Sequence, residues 1–228
     1  MQENSVAARR LEGKTAIVTG ASRGIGLAVA QRLAAEGARV CITARKPGPL
    51  EEAAASFPDG TVLAIAGKSD DAVHRAEVLD TVAGAFGRLD ILVNNAGMGI
   101  GGALELATPE EIDLQMGTNF MGCVNLCQAV LPYMRKQRSG KIVNLSSIGG
   151  VMGLPWQGFY SASKFAIEGF SEALAAEVRS FGIRVAMVEP GDFATGFTAS
   201  RRNSQATLDD PDYGPLFRRS LAIIEKEE

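Results

Sequence analysis

Histidine is almost absent from this chain of 228 residues: His74 is the single one. A Ser-His-Asp triad needs an imidazole placed beside its nucleophile, and one histidine leaves little for a usual catalytic zinc site. Both chemistries are set aside, no metal is expected, and His74, within a polar and charged helical segment, reads as a surface residue. Cysteine is scarce too. Cys41, Cys123 and Cys127 make no disulfide framework and fit a reducing compartment. Cys123 and Cys127 stand four apart, a possible metal-pair spacing, but on an apolar helical stripe, where small buried residues are the expected role. No run of 18 apolar residues exists, so no membrane-spanning helix is predicted. Met1–Arg10 is polar and has no signal-peptide core. The net charge of -3 gives no electrostatic reason for nucleic acid or an anionic membrane as partner, and Arg201-Arg202 is too short for a nucleic-acid footprint. The expectation is a cytoplasmic protein.

What is present is apolar and regularly divided. Hydrophobic residues make up 46% of the chain, enough for a sizeable core. Six strand-like runs, Thr15–Thr19, Arg39–Thr43, Val62–Ala66, Ile91–Asn94, Lys141–Leu145 and Arg184–Val188, show little alternation, as strands buried on both faces do. Between them lie helix-length segments, Gly26–Glu36, Asp71–Phe86, Pro109–Gln137 and Tyr160–Phe181. Repeated strand–helix units predict an α/β, doubly wound parallel sheet. Thr108-Pro109-Glu110-Glu111 marks one helix start, with a capping Thr, Pro at the first position and a capping-box Glu. Pro132 should kink or end that helix late. The division expected is a tail at 1–10 and one α/β domain at 11–228. Within it the irregular stretch 192–215 serves as a substrate loop.

The first strand runs into Thr19-Gly20-Ala21-Ser22-Arg23-Gly24-Ile25-Gly26 and then a helix. A glycine-rich turn of this kind brings backbone amides close to a pyrophosphate, and the helix N-terminus adds partial positive charge. An ordinary tight turn is the plainer reading of the glycines alone. Tyr160 and Lys164 stand four apart at the start of a helix, on one face. A free phenol has a pKa of about 10. A nearby ammonium lowers it toward the range where acid–base catalysis works.

Together these motifs resemble the short-chain dehydrogenase/reductase family, in its single-domain Rossmann branch, similar to 3-oxoacyl carrier-protein reductase-like and carbonyl reductase-like members. The resemblance runs from about Leu11 to Thr195. It rests on T-G-A-S-R-G-I-G, on Asn94-Asn95-Ala96-Gly97 and on Tyr160-Ser161-Ala162-Ser163-Lys164. It implies Tyr160 as proton donor. Lys164 would lower the phenol's pKa and bond the nicotinamide ribose. Ser147, 13 residues before Tyr160, would polarise the substrate oxygen, with adjacent Ser146 as rival. Asn119 would hold a water linked to Lys164, its bland alternative being a packing role. The cofactor would be held by Gly20, Ser22, Arg23, Gly24, Ile25, Gly26, Arg45, Asn94, Ala96, Gly97, Tyr160, Lys164, Pro190, Gly191 and Thr195.

The second strand ends Ala44-Arg45 without the acid that favours NAD. Arg45 and Arg23 could instead clamp a 2′-phosphate, which makes NADP(H) the expected cofactor. One departure stands out. Lys68-Ser69 occupies the place of an Asp that bonds adenine in many members, and Lys has no acceptor. Apolar Met98, Ile148, Leu154, Trp156, Phe193 and Phe197 are the candidate substrate pocket. They suit an apolar ketone, aldehyde or 3-oxoacyl substrate, a small-molecule carbonyl or alcohol in any case. Members of the family usually continue through another helix and a seventh strand after the point where this sequence stops at Glu228. A six-stranded sheet is therefore expected. Pro109–Gln137 and Tyr160–Phe181 would form a homo-oligomer interface, a dimer in preference to a tetramer. The competing functional reading is an NADP(H)-binding sensor without turnover, which would not need the set Asn119, Ser147, Tyr160 and Lys164. An extended epimerase or dehydratase would need a larger substrate domain than this chain provides.

Overall fold

A computed structural model of the chain describes residues 9–191 and 201–227. Strand β1 (Thr15–Thr19) leads into helix α1 (Gly24–Ala35), then β2 (Arg39–Ala44), α2 (Pro47–Ala54), β3 (Val62–Ala66), α3 (Ala72–Phe86) and β4 (Ile91–Asn94). A two-residue strand β5 (Ile100–Gly101) precedes α4 (Pro109–Met116), a π-helical turn at Gly117–Met121 and α5 (Gly122–Gln137). Then come β6 (Gly140–Leu145), α6 (Gly158–Val178), β7 (Ile183–Val188), the short β8 (Arg202–Asn203), α7 (Gln205–Asp209) and α8 (Tyr213–Glu227).

Six strands form one parallel sheet in the order β3-β2-β1-β4-β6-β7. The order reverses at β1 and β4, so a crevice opens beyond their C-terminal ends, the place where open α/β sheets bind ligands. All five β1 residues are buried, which explains why its sequence shows no alternation. One face, carrying Ile17, Cys41, Leu92 and Ile142, packs on α3, α5 and the end of α6. The other, carrying Val18, Val40, Ile42 and Val93, packs on α1 and α2. β7 is an edge, its residues alternately exposed after Ile183, as expected of a sheet that stops at six. Among the described residues no helix is long and apolar enough to cross a membrane.

Some local expectations need correction. His74 is buried, with 7% of its surface exposed, and its ring packs on Gly67 at the end of β3. With Val78 and Val82 it forms the inward face of α3 at four-residue spacing. Counting it as polar hid that periodicity. Burial lowers its pKa below 6.5, and the fields of Glu77 and Asp71 oppose this. Pro132 does not end α5, which runs on to Gln137. Buried Val130 and Met134 on either side hold the helix down through the missing amide. Part of the stretch expected to be a loop is ordered as β8, paired to β5, and as α7. The capping box at Thr108 forms as expected, with Thr108 Oγ1 accepting from Glu111 N at 3.2 Å and Glu111 Oε2 accepting from Thr108 N at 3.1 Å.

Candidate active site

The site begins at the turn after β1. Gly20 and Gly24 have φ of 64° and 58°, the left-handed region that glycine adopts without strain. A Cβ on Gly20 would stand 2.8 Å from the Ala96 Cα, and one on Gly26 would meet Gly20 O at 2.6 Å. Thus the turn, α1 and the loop after β4 close tightly on one another. Asn95 fastens them, its Nδ2 donating to Thr19 O (2.8 Å) and Gly20 O (3.0 Å). Thr19 Oγ1 accepts from Asn95 N and Ala96 N at 3.0 and 2.9 Å. No side chain caps the N-terminus of α1, and its first turn holds no acid. Amides left without a side-chain acceptor at a helix N-terminus fit a pyrophosphate. Arg23 and Arg45 are exposed and make no ion pair among the described residues. Two unpaired guanidinium groups near this turn fit a phosphorylated ribose.

Ser22, Gly24 and Ile25 lie in the same turn, and Ala96 and Gly97 in the loop facing it. Asn94 is different. Its side chain is buried and donates to Asn144 Oδ1 (2.9 Å) and Cys127 Sγ (3.2 Å), while Asn144 Nδ2 donates to Ser171 Oγ (2.8 Å). Asn94 therefore ties β4 to β6 with its side chain, leaving only its backbone at the strand end. Cys41, Cys123 and Cys127 are free and buried.

Ser147 follows β6. Its Oγ accepts from Gly149 N at 3.1 Å and shares a hydrogen bond with the Tyr160 phenol. Gly149 lets α6 approach, since a Cβ there would lie 3.2 Å from both Tyr160 Cε1 and Leu154 Cδ1. Ser146, the rival, has a buried Oγ without a hydrogen-bond partner. Burial raises the Tyr160 pKa above 10, against the Ser147 hydrogen bond and the field of Arg201. Lys164 Nζ sits 5.7 Å from the Tyr160 ring centroid and donates to Leu145 O at 2.8 Å. Lys164 is itself so buried that desolvation lowers its pKa to about 8.

Asn119 lies in the π-helical turn, a wider turn of a kind often found at functional sites. Its Oδ1 accepts from Met98 N (2.9 Å), and its Nδ2 donates to Met98 O and Ser163 Oγ (both 3.0 Å). Ser163 Oγ in turn donates to Tyr160 O at 2.6 Å. A Cβ on Gly97 would stand 3.5 Å from Asn119 Oδ1 and 3.8 Å from Lys164 Nζ, so these three converge. Sequence reasoning missed Thr19, Asn95, Gln115 and Ser163 as supports. Gln115 holds Met98 O and Ile100 N at 2.7 and 2.8 Å. Thr19, Asn95 and Ser163 had a visible signal, their places inside the glycine-turn, Asn-Asn-Ala-Gly and Tyr-to-Lys motifs, and Gln115 had none. Arg201, set aside as half of a short basic pair, acts electrostatically on the phenol.

Of the candidate substrate residues, Met98 is buried, Ile148 is 43% exposed and Leu154 stands beside Gly149. Trp156 has φ of 64° and packs under α8, its Nε1 donating to Ser220 Oγ at 2.9 Å and its ring 5.4 Å from Phe217. Trp156 also lines a pocket with Ile100, Ala103, Leu104 and Phe159. Pro190 O accepts from Ile148 N at 3.2 Å, which ties the Pro190-Gly191 turn to the turn after Ser147. Phe193, Thr195 and Phe197 lie outside the described residues. Among the described residues no group of His, Cys, Asp and Glu could hold a metal ion.

Residues 14–206 match the short chain dehydrogenase family. The chain is 55% identical over 212 residues to the 3-ketodihydrosphingosine reductase of Bacteroides thetaiotaomicron, covering 93% of this chain and 76% of that one. It is 40% identical over 199 residues to the 3-oxoacyl-[acyl-carrier-protein] reductase of Escherichia coli, covering 85% and 79%. Among solved structures, a short-chain dehydrogenase from Streptomyces avermitilis superposes with a TM-score of 0.84 at 37% identity, covering 93% of this chain and 79% of that one. A 3-ketoacyl-(acyl-carrier-protein) reductase from Brucella melitensis, complexed with NADH, gives 0.80 at 29% identity, covering 90% and 93%. With an uncapped glycine turn at the switch point of the sheet and Ser147, Tyr160 and Lys164 gathered beside it, the chain belongs to the short-chain dehydrogenase/reductase family of nicotinamide-dependent carbonyl and alcohol oxidoreductases.

Proposed function

We propose that the protein is an NADP(H)-dependent reductase of apolar ketones, with the keto group of a long-chain substrate such as 3-ketodihydrosphingosine as first candidate. The observation that carries this reading is the buried Tyr160 phenol, hydrogen-bonded with Ser147 above the Lys164 ammonium. Bound NADPH supplies the hydride. Tyr160 gives its proton to the carbonyl oxygen as that oxygen gains charge, and Ser147 donates a hydrogen bond to the same oxygen. Lys164, whose ammonium donates to Leu145 O, would also hold the nicotinamide ribose. Because burial raises the phenol, Tyr160 is in its acid form at neutral pH, as reduction requires.

The NADP(H) preference is supported by Arg23 and Arg45 and by the lack of an acid at Ala44. The apolar substrate is supported by Ile148, Val151 and Met152, which are 43%, 55% and 52% exposed just after the catalytic serine. The kinship with a 3-ketodihydrosphingosine reductase favours a long alkyl chain. We place the protein in the cytoplasm, where its three buried thiols stay reduced.

NADPH consumption measured with 3-ketodihydrosphingosine, 3-oxoacyl thioesters and simple aldehydes tests the reading. The long-chain ketone is expected to give the highest kcat/KM. No consumption above the Tyr160→Phe background with any carbonyl would sink it and favour the sensor. A second copy would pack against α5 and α6, where Tyr133 and Phe165 are exposed beside Met121 of the preceding π-helical turn. Light scattering is expected to report a dimer, and a clean monomer contradicts that placement.

A further inference from the structure

Lys164 is 95% buried, with 5% of its surface exposed, and its hydrogen bond goes to a neutral acceptor, Leu145 O. An ammonium taken out of water costs several kcal/mol unless a counter-charge offsets it. Two groups outside its own protonation act in its favour, Cys123 on α5 and Glu168 on α6. Cys123 is uncharged where Lys164 titrates, because its hydrogen bond with Cys127 and then burial push its thiol well above the ordinary value. Tyr160, one turn before Lys164, is raised by burial and neutral as well. Asn119 and the Gly97 turn bring no charge. The negative charge facing Lys164 is therefore the Glu168 carboxylate, one turn later on the same face of α6.

The two make no contact ion pair within 4.0 Å. Instead Glu168 Oε1 is shielded from solvent and has no hydrogen-bond partner, and the same is true of Ser146 Oγ. Both oxygens abut Gly150, where a Cβ would press on Ser146 Oγ and stand 3.2 Å from Glu168 Oε1. Two buried oxygens beside one glycine, a carboxylate and a hydroxyl each without a partner, are uncommon, and an ordered water is the usual remedy.

We propose that Glu168 is a positioning residue for the reaction: its carboxylate, tethered through a buried water to Ser146 in the space that Gly150 leaves open, keeps Lys164 charged beside Tyr160. The kinetic part of this inference rests on the reductase reading above; the electrostatic part does not.

The test uses full-length protein with lysine labelled at 13Cε, titrated by NMR, the Lys164 signal being the one lost in Lys164→Met. Wild type should titrate near 8. Glu168→Gln should move the midpoint down by roughly half a pH unit or more. Glu168→Asp should stay near wild type, and Ser146→Ala should move less but in the same direction. In turnover, the ammonium is lost as pH rises through the Lys164 pKa, so the NADPH-dependent rate falls on the alkaline side. Glu168→Gln should bring that fall to lower pH and leave the acid side unchanged. An unmoved Lys164 midpoint in Glu168→Gln overturns the proposal, as does a moved midpoint with an unmoved rate profile. Should Glu168→Gln not fold, an unmoved midpoint in Ser146→Ala overturns it. A moved midpoint in a protein that turns over no carbonyl supports the electrostatic role and refutes the reductase reading alone.

Discussion

Tyr160→Phe is expected to lower kcat by roughly 10²- to 10⁴-fold while leaving NADPH affinity within a few-fold of wild type. The magnitude is what a positioned general acid ordinarily supplies. The substitution removes one oxygen and keeps the ring that Gly149 accommodates. Ser147 Oγ retains its bond from Gly149 N, so it is not left without a partner. The backbone that positions the ring is held by Ser163 and Asn119 and does not involve the phenol. Loss of rate therefore reads out proton donation, and not collapse of the site. The measurement is steady-state turnover beside NADPH binding by fluorescence. Near-native turnover in the variant contradicts the assignment of Tyr160.

The second large effect concerns the choice of nicotinamide. Combining Ala44→Asp with Arg45→Ala should invert the preference from NADPH to NADH. Each hydrogen bond from a guanidinium to phosphate is worth about 1.5–3 kcal/mol, which is roughly 10- to 100-fold in affinity. The introduced carboxylate would repel a 2′-phosphate and accept from a ribose hydroxyl. Ala44 ends β2 half-buried at the margin of the core and Arg45 is exposed, so the thermal stability of the variant is measured beside its kinetics. The ratio of kcat/KM for the two cofactors is the observable. Equal use of both by the wild type, or no change in the variant, contradicts the role of Arg45.

The strands were legible because their apolar residues run on without alternation, fully buried in β1 and β4, and the bounds of β1, β3 and β4 match the sequence reading. Helix α2 was not legible. Its start, Pro47-Gly48-Pro49, reads as a turn, although Pro at the first helical position is compatible with a helix. The two-residue strands β5 and β8 were also out of reach, since each exists only by pairing with a segment about 100 residues away. In the site, Tyr160, Lys164 and Ser147 were legible through the family resemblance that their motifs carry. Their electrostatics were not. Spacing suggested an ammonium that acidifies a phenol, but burial, which depends on the whole fold, dominates both groups. Gln115 and Glu168 carry no local pattern, because Gln115 acts on the loop after β4 and Glu168 faces an enclosed space that only the packed turn at Gly150 creates.

The most direct test of the account is one turnover of a long-chain ketone with NADPH deuterated at the transferred position of the nicotinamide. The account predicts an alcohol one mass unit heavier, with the label on the former carbonyl carbon and none formed by Tyr160→Phe on the same time scale. An unlabelled alcohol, or label arriving equally fast without the phenol, contradicts it.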